Sequence, residues 1–381
     1  MVRSRHAAAL ALISVSIFAA APAHAQAAAS CGVPTARNDG WPVATPAKAG
    51  LDDARLCALS KWLDGFPQSN VHSVIVARRG ALVFERYFTG DDEVWGRPVG
   101  VVEHGPAVKH DLRSVTKSIT GLLVGIALDR KLIASIDEPV FTFFPEHADL
   151  RTPAKDGILL RHLLTMSAGL AWNENIPYSN PANSERRMTD APNPYRYILE
   201  QRLADLPGAQ FNYSGGATQL LAGILQKAAG KPLEEFAREA LFAPLGITDV
   251  TWVKMPNGDV SAASGLRLTP RDLAKLGQLM LARGEWNGRR VAPADWIAQS
   301  TTPQIEAIDF LFYGHQWWLG RSMIERRELP WTAGFGLGGQ RLFIVPGLDL
   351  VVVTTAGLYN SPMQRWVPWE IFRRYVVGAV Q

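Results

Sequence analysis

Extended runs sit at the two ends of this chain, and that arrangement constrains its fold more than any other feature. His72 to Ala77 and Ala81 to Phe88 are rich in β-branched and apolar residues and flank Arg78-Arg79-Gly80, which reads as a hairpin. A second pair, Arg341 to Val345 and Asp349 to Thr355, flanks Pro346-Gly347. Between them the spacing of apolar residues is helical, at Thr116 to Leu128, Thr218 to Ala229, Leu233 to Leu241 and Thr269 to Ala282. The last of these has an explicit start, with Thr269 to cap, Pro270 in the first helical position and Asp272 where a capping-box acid belongs. A further helix is expected over Asp53 to Leu63, and Asn173 to Tyr195, rich in Pro, Asn and Ser, reads as a long loop. The expected fold class is α+β: an antiparallel sheet built from both terminal segments, a helical insertion at about 112–300, and a cleft between them.

The first 25 residues read as a signal peptide. Arg3 and Arg5 precede an uncharged run from Ala7 to Ala21, and Ala23-His24-Ala25 supplies small residues for cleavage before Gln26. The rival readings are a membrane anchor, for which the run is short, and a lipoprotein, because Ala29-Ser30 precedes Cys31. Cleavage would make residues 26–381 a periplasmic or secreted domain with no stable membrane insertion. The formal charge of +4 would fall to 4 − 2 = +2 with the loss of Arg3 and Arg5. Basic residues are scattered rather than clustered, so no nucleic-acid partner is expected. Cys31 and Cys57 either form a bridge in an oxidising compartment or remain two inert thiols.

Ser114-Val115-Thr116-Lys117 opens an apolar helical run, and a spacing of three puts Ser114 and Lys117 on one helix face. The alternative is a capping serine followed by a solvated lysine. A lysine in the first turn of a helix faces the positive end of the dipole, and burial would also disfavour its charge, so Lys117 is expected to lean toward the neutral amine of a general base. The Ser114 backbone N–H, at a helix start, is placed to stabilise an oxyanion. Neither Ser167 nor Ser214 has the flanking glycines of a nucleophile elbow. The eight histidines form no His-Glu-x-x-His array, and the pair His104 and His110 has no helical register, so neither a metal nor any other cofactor is expected.

With Ser114-Val-Thr-Lys117, the sequence from about Trp41 onward resembles the serine β-lactamase and penicillin-binding protein superfamily, in particular class C-like enzymes, family VIII-type esterases and 6-aminohexanoate-dimer hydrolases. Phe211-Asn212-Tyr213-Ser214-Gly215 resembles the Tyr-x-Asn motif with Gly215 in the Asn place. Gly336-Leu337-Gly338-Gly339-Gln340 stands where the family carries Lys-Thr-Gly or His-Thr-Gly. Arg161 to Leu170 and Phe242 to Ile247 add scaffold similarity. The resemblance implies Tyr213 as a proton shuttle and Gln340 as the second oxyanion N–H. Leu337, Gly338 and Gly339 then line the substrate, with Leu337 in the basic residue's place. A tyrosinate at neutral pH would require a lowered pKa, for which Lys117 is the natural cause.

Without the family's cation and Asn side chain, the site is expected to take a small-molecule ester or linear amide. Tyr178, Tyr195 and Trp318 are candidate walls of its apolar pocket. The competing readings are a β-lactamase or D-alanyl-D-alanine peptidase, and an inactive binder of cell-wall fragments.

Overall fold

The computed structural model describes residues 31–324 and 326–381. Residues 1–25, expected to be a signal peptide, lie outside them. Within the described chain, α1 (Asp53–Asp64) precedes the hairpin of β1 (Val71–Arg78) and β2 (Ala81–Tyr87). The remaining strands of the main sheet come after residue 300: β3 (Ile305–Glu306), β4 (Phe312–Tyr313), β5 (Trp318–Ile324), β6 (Arg327–Gly336), β7 (Gln340–Val345) and β8 (Leu350–Ala356). They form one antiparallel sheet of order β3-β4-β5-β6-β7-β8-β1-β2. The two ends of the chain meet where β1 pairs with β8, Val74 opposite Thr354 and Val76 opposite Val352.

Alternation along these strands gives the sheet two apolar faces. Ile75, Ala77, Leu342, Ile344, Val351 and Val353 pack into the helical side. Val74, Val76, Phe343, Val345 and Val352 face α1 and the C-terminal helical segment. On the helical side lie α2 (Val115–Asp129), α3 (Gly215–Ala229) and α4 (Pro270–Leu281), the last capped by Thr269, whose hydroxyl accepts from the Asp272 N–H. Every residue of α2 from Val115 to Ala127 is buried, as a helix that is apolar all round must be. Gly125 makes that possible, because a Cβ there would strike the Trp296 ring at 2.0 Å.

Two expectations need correction. The segment Asn173 to Tyr195 is not one loop but holds the helix Ser184–Asp190 and the start of the helix Pro194–Glu200. Each is capped by an asparagine, Asn183 and Asn193 respectively. The sheet also extends past the expected hairpin through β3 to β6, which Gly320, Pro330 and Gly334 had disguised by interrupting the β pattern. Cys31 and Cys57 are disulfide-bonded. Among the described residues no helix is long and apolar enough to cross a membrane.

Candidate active site

Arg113, immediately before the nucleophile candidate, adopts φ +48°, a conformation non-glycine residues rarely hold without surrounding support. That support is an ion pair to Asp111 at 3.3 Å and a second to Glu93. Ser114 then starts α2, yet its side chain makes no capping hydrogen bond. The hydroxyl instead faces Lys117, whose Nζ donates to Ser114 Oγ at 3.1 Å and to the Ala263 carbonyl at 3.2 Å. The Lys117 ammonium also lies 4.8 Å from the centre of the Tyr213 ring.

Tyr213 is fixed by its neighbours in sequence. Asn212 donates through Nδ2 to the Trp172 carbonyl at 3.2 Å, and Ser214 caps α3 by accepting from the Ala217 N–H at 3.1 Å. The motif therefore clamps the tyrosine between the 170–172 segment and a helix start. Trp318 stacks on Tyr213 at 5.5 Å between centroids, with Phe211 and Tyr313 against the same indole. Phe335 also stacks on Trp318, at 5.7 Å. An aromatic wall thus flanks the tyrosine.

Two residues on nobody's motif complete the pocket. Glu174 and Glu185 come from the segment expected to be a loop, and both are buried beside Lys117. Glu174 Oε1 is 3.7 Å from Lys117 Nζ, while Oε2 accepts from Trp172 Nε1 and from the Gly215 N–H, each at 2.6 Å. Glu185 accepts from Ser264 Oγ at 2.8 Å and from the Tyr178 hydroxyl. These carboxylates explain the glycine in the Asn place: a Cβ on Gly215 would come within 3.0 Å of Glu185 Cδ and 3.1 Å of Glu174 Oε2.

The electrostatics run opposite to the sequence expectation. Burial does favour the neutral amine, but Tyr213, Glu174 and Glu185 outweigh it and hold Lys117 above the ordinary lysine range. Burial also raises Tyr213, despite the pull of Lys117 in the other direction. Burial pushes Glu174 up to about 7, against Lys117, with Glu185 adding to the rise. Both shifts point toward the protonated forms, the ammonium of Lys117 and the phenol of Tyr213.

The third sequence motif lies differently from its expected place. Gln340 pairs with Gly336 across the β6–β7 turn, and its side chain is spent on the Leu337 and Ala356 carbonyls and the Ala356 N–H. Leu337, Gly338 and Gly339 form that turn, with the Gly338 N–H donating to Gln364 and a Cβ on Gly338 or Gly339 meeting Tyr359 or Ala356. The backbone that crosses the start of α2 is β6 itself: a Cβ on Gly334 would touch Val115 at 3.0 Å, and one on Gly336 would strike the Leu112 carbonyl at 2.4 Å. Beyond Ala333, which pairs with Trp318, β6 has no β5 partner. Tyr195 is also elsewhere. It bonds Asp259 at 2.8 Å and packs on Gly223, eight residues along α3 from Gly215, or about 12 Å at 1.5 Å per residue.

This geometry can be set against known proteins. A family model described as Beta-lactamase matches residues 60–365. The chain belongs to that family. It is 27% identical over 359 residues to the 6-aminohexanoate-dimer hydrolase of Paenarthrobacter ureafaciens, covering 88% of this chain and 85% of that one. Among solved structures, the octameric penicillin-binding protein homologue from Pyrococcus abyssi superposes with TM-score 0.63 at 18% identity, over 85% of this chain and 77% of the other. A family VIII carboxylesterase superposes with TM-score 0.63 at 15% identity, over 84% and 96%. The chain is a serine hydrolase of the serine β-lactamase and penicillin-binding protein superfamily, with its α+β fold.

Proposed function

We propose that this β-lactamase-family hydrolase cleaves an ester or a small linear amide through an acyl-enzyme on Ser114. The observation that carries the reading is the uncapped Ser114 hydroxyl at 3.1 Å from Lys117 Nζ, which itself lies 4.8 Å from the centre of the Tyr213 ring. Ser114 Oγ adds to the substrate carbonyl and gives its proton to the Lys117–Tyr213 pair. The pair returns that proton to the leaving alcohol or amine as the acyl bond breaks. Water then adds to the acyl-enzyme, the pair takes its proton, and Ser114 recovers it.

To accept a proton, the pair must first lose one of the two it holds at rest. The amine–phenol and ammonium–phenolate forms differ only in where the remaining proton sits, so Lys117 and Tyr213 act as one base. The oxyanion is assigned to the Ser114 N–H and, on β6, to the N–H of Phe335, which lies between the two glycines that cross the helix start. This replaces Gln340.

The strand face that meets α2 carries Thr332, Gly334 and Gly336, none of them a cation. A β-lactam carboxylate would lose its ion-pair partner there, at a cost of roughly 1.5 to 3 kcal/mol for a charge-assisted hydrogen bond. The aromatic wall of Tyr213, Trp318 and Phe335 suits an uncharged acyl or alkyl group. The 6-aminohexanoate-dimer hydrolase relative supports linear amides as the second substrate class. Action outside the cytoplasm, after cleavage before Gln26, is supported by the disulfide and by the charged, apolar N-terminus.

A panel of p-nitrophenyl esters, linear amides and a chromogenic cephalosporin tests the substrate reading. A short-chain ester is expected to exceed the cephalosporin in kcat/KM by at least tenfold. Equal efficiency on the cephalosporin would replace this reading with that of a β-lactamase. Mass spectrometry of exported protein, with an N-terminus at Gln26 expected and Met1 retained as the contrary result, tests the location.

A further inference from the structure

Four buried side chains outside the catalytic pocket converge on one point. His72 comes from β1, Asp92 from the hairpin strand Thr89–Val94, His104 from just beyond its partner strand Arg97–Glu103, and His110 from the short strand that leads to Ser114. One donor atom from each lies within 4.8 Å of all the others. His72 Nδ1 is 2.8 Å from His110 Nε2; Asp92 Oδ1 is 3.9 Å from the first and 3.5 Å from the second; Asp92 Oδ2 is 3.9 Å from His104 Nε2. Donors at 2.0–2.1 Å around a tetrahedral zinc are about 3.3 Å apart, and these separations bracket that value.

The protons of the cluster make the stronger case. Asn70 donates through Nδ2 to the Asp91 carbonyl at 2.8 Å, which turns its Oδ1 toward His72 Nε2 at 3.2 Å as an acceptor. His72 must therefore carry its proton on Nε2. His110 Nδ1 faces the Asp111 carbonyl at 3.0 Å, which can only accept, so His110 carries its proton there. Each neutral ring has then spent its one N–H outward. The inward nitrogens, 2.8 Å apart, both present lone pairs, an arrangement that repels unless a cation lies between them.

His104 Nε2 adds a third inward nitrogen, buried and without a hydrogen-bond partner among the described residues. Outer contacts of this kind, an imidazole N–H to a carbonyl or amide oxygen and a hydroxyl to a ligand carboxylate, are what orient metal ligands. Tyr359 supplies the last, donating to Asp92 Oδ1 at 3.2 Å.

We propose that His72, Asp92, His104 and His110 form a structural site for a divalent transition metal, zinc by its donor set. All four positions are filled by protein atoms, as in closed structural sites, so the metal holds the fold rather than the substrate. It fastens the hairpin Thr89–Val94/Arg97–Glu103 to β1 and to the segment entering Arg113 and Ser114. Asp111, next to His110, reinforces the junction by accepting from the Trp95 N–H at 2.6 Å.

The test uses untagged full-length protein stripped with EDTA and reloaded with zinc or cobalt(II). Wild type should bind one zinc per chain in competition with a chromophoric chelator and melt at higher temperature when loaded. The cobalt form should show the intense visible bands of a tetrahedral ion, unchanged when a fluorophosphonate labels Ser114. His104→Ala and Asp92→Asn should weaken zinc on the order of a hundredfold or more. Folded wild type that takes up neither metal, a variant that retains full affinity, or a cobalt spectrum altered by labelling would overturn the assignment. If the variants fail to fold, the wild-type stoichiometry and cobalt spectrum decide it alone.

Discussion

Two buried clusters of ionisable groups flank Arg113, and they are built on opposite principles. The Ser114 pocket sets the Lys117 ammonium against the Tyr213 hydroxyl and two carboxylates, and the fields of these neighbours oppose the effect of burial on Lys117. The histidine cluster sets the Asp92 carboxylate beside imidazoles, two of which, His72 and His110, turn their N–H groups outward and their lone pairs inward. A pocket of the first kind stores a proton equilibrium and suits catalysis; one of the second kind stores an affinity for a cation. What separates them is which protons are already committed to the surroundings.

If the pocket works by proton transfer, removing the amine should have the largest effect. Lys117→Ala is expected to lower kcat/KM for a p-nitrophenyl ester by about 10³- to 10⁴-fold, at the upper end of general acid–base contributions. A loss of only a few-fold would remove the distinction between the two clusters. Gly215→Asn, which restores the family's usual residue, should cost on the order of a hundredfold, because its side chain must displace Glu174 or Glu185 from beside Lys117. Activity at or above wild type in that variant would show that the carboxylates do not occupy the Asn place in solution.

A smaller effect, but a more specific one, concerns pH. The Lys117–Tyr213 pair must lose a proton to become a base, so kcat/KM should rise with pH from neutral toward the alkaline side. The Glu174 carboxylate favours the protonated form of the pair. Glu174→Gln removes one anion that raises Lys117, so the rising limb should move to lower pH. A limb that stays in place, or moves up, would refute the charge coupling. Trp318→Ala, which removes the stacked wall while leaving every proton where it is, should raise KM several-fold with kcat changed less; a collapse of kcat would give the tryptophan a larger role than packing.

The sequence made the two clusters unequally visible. Ser114 and Lys117 stand three residues apart on one helix, so their meeting follows from helical geometry alone, and Tyr213 was reached through a resemblance. The histidine ligands are separated by 20, 12 and 6 residues along the order His72, Asp92, His104 and His110, on a strand, a hairpin and a lead-in segment, and no periodicity joins them. Glu174 and Glu185 escaped for a related reason: the segment read as a loop, although Asn183 and the pair Asn193-Pro194 are helix-start signals that a closer reading of caps would have caught. The direction of the Lys117 shift failed because the helix dipole and burial are visible in sequence while the opposing carboxylates are not. The second oxyanion donor is proposed on β6 rather than at Gln340 because the glycine-rich turn and the glycine-bearing end of β6 adjoin, and only packing against Val115 and Leu112 tells them apart.

The central claim is that Ser114 is the nucleophile, and covalent trapping tests it most directly. Protein treated with a fluorophosphonate should gain one adduct by intact mass, mapped by peptide sequencing to Ser114, with ester hydrolysis lost in proportion to labelling. Ser114→Ala should take no adduct at that peptide and retain less than about a thousandth of the activity. An adduct on another serine such as Ser118 or Ser167, or turnover persisting in Ser114→Ala, would contradict the account.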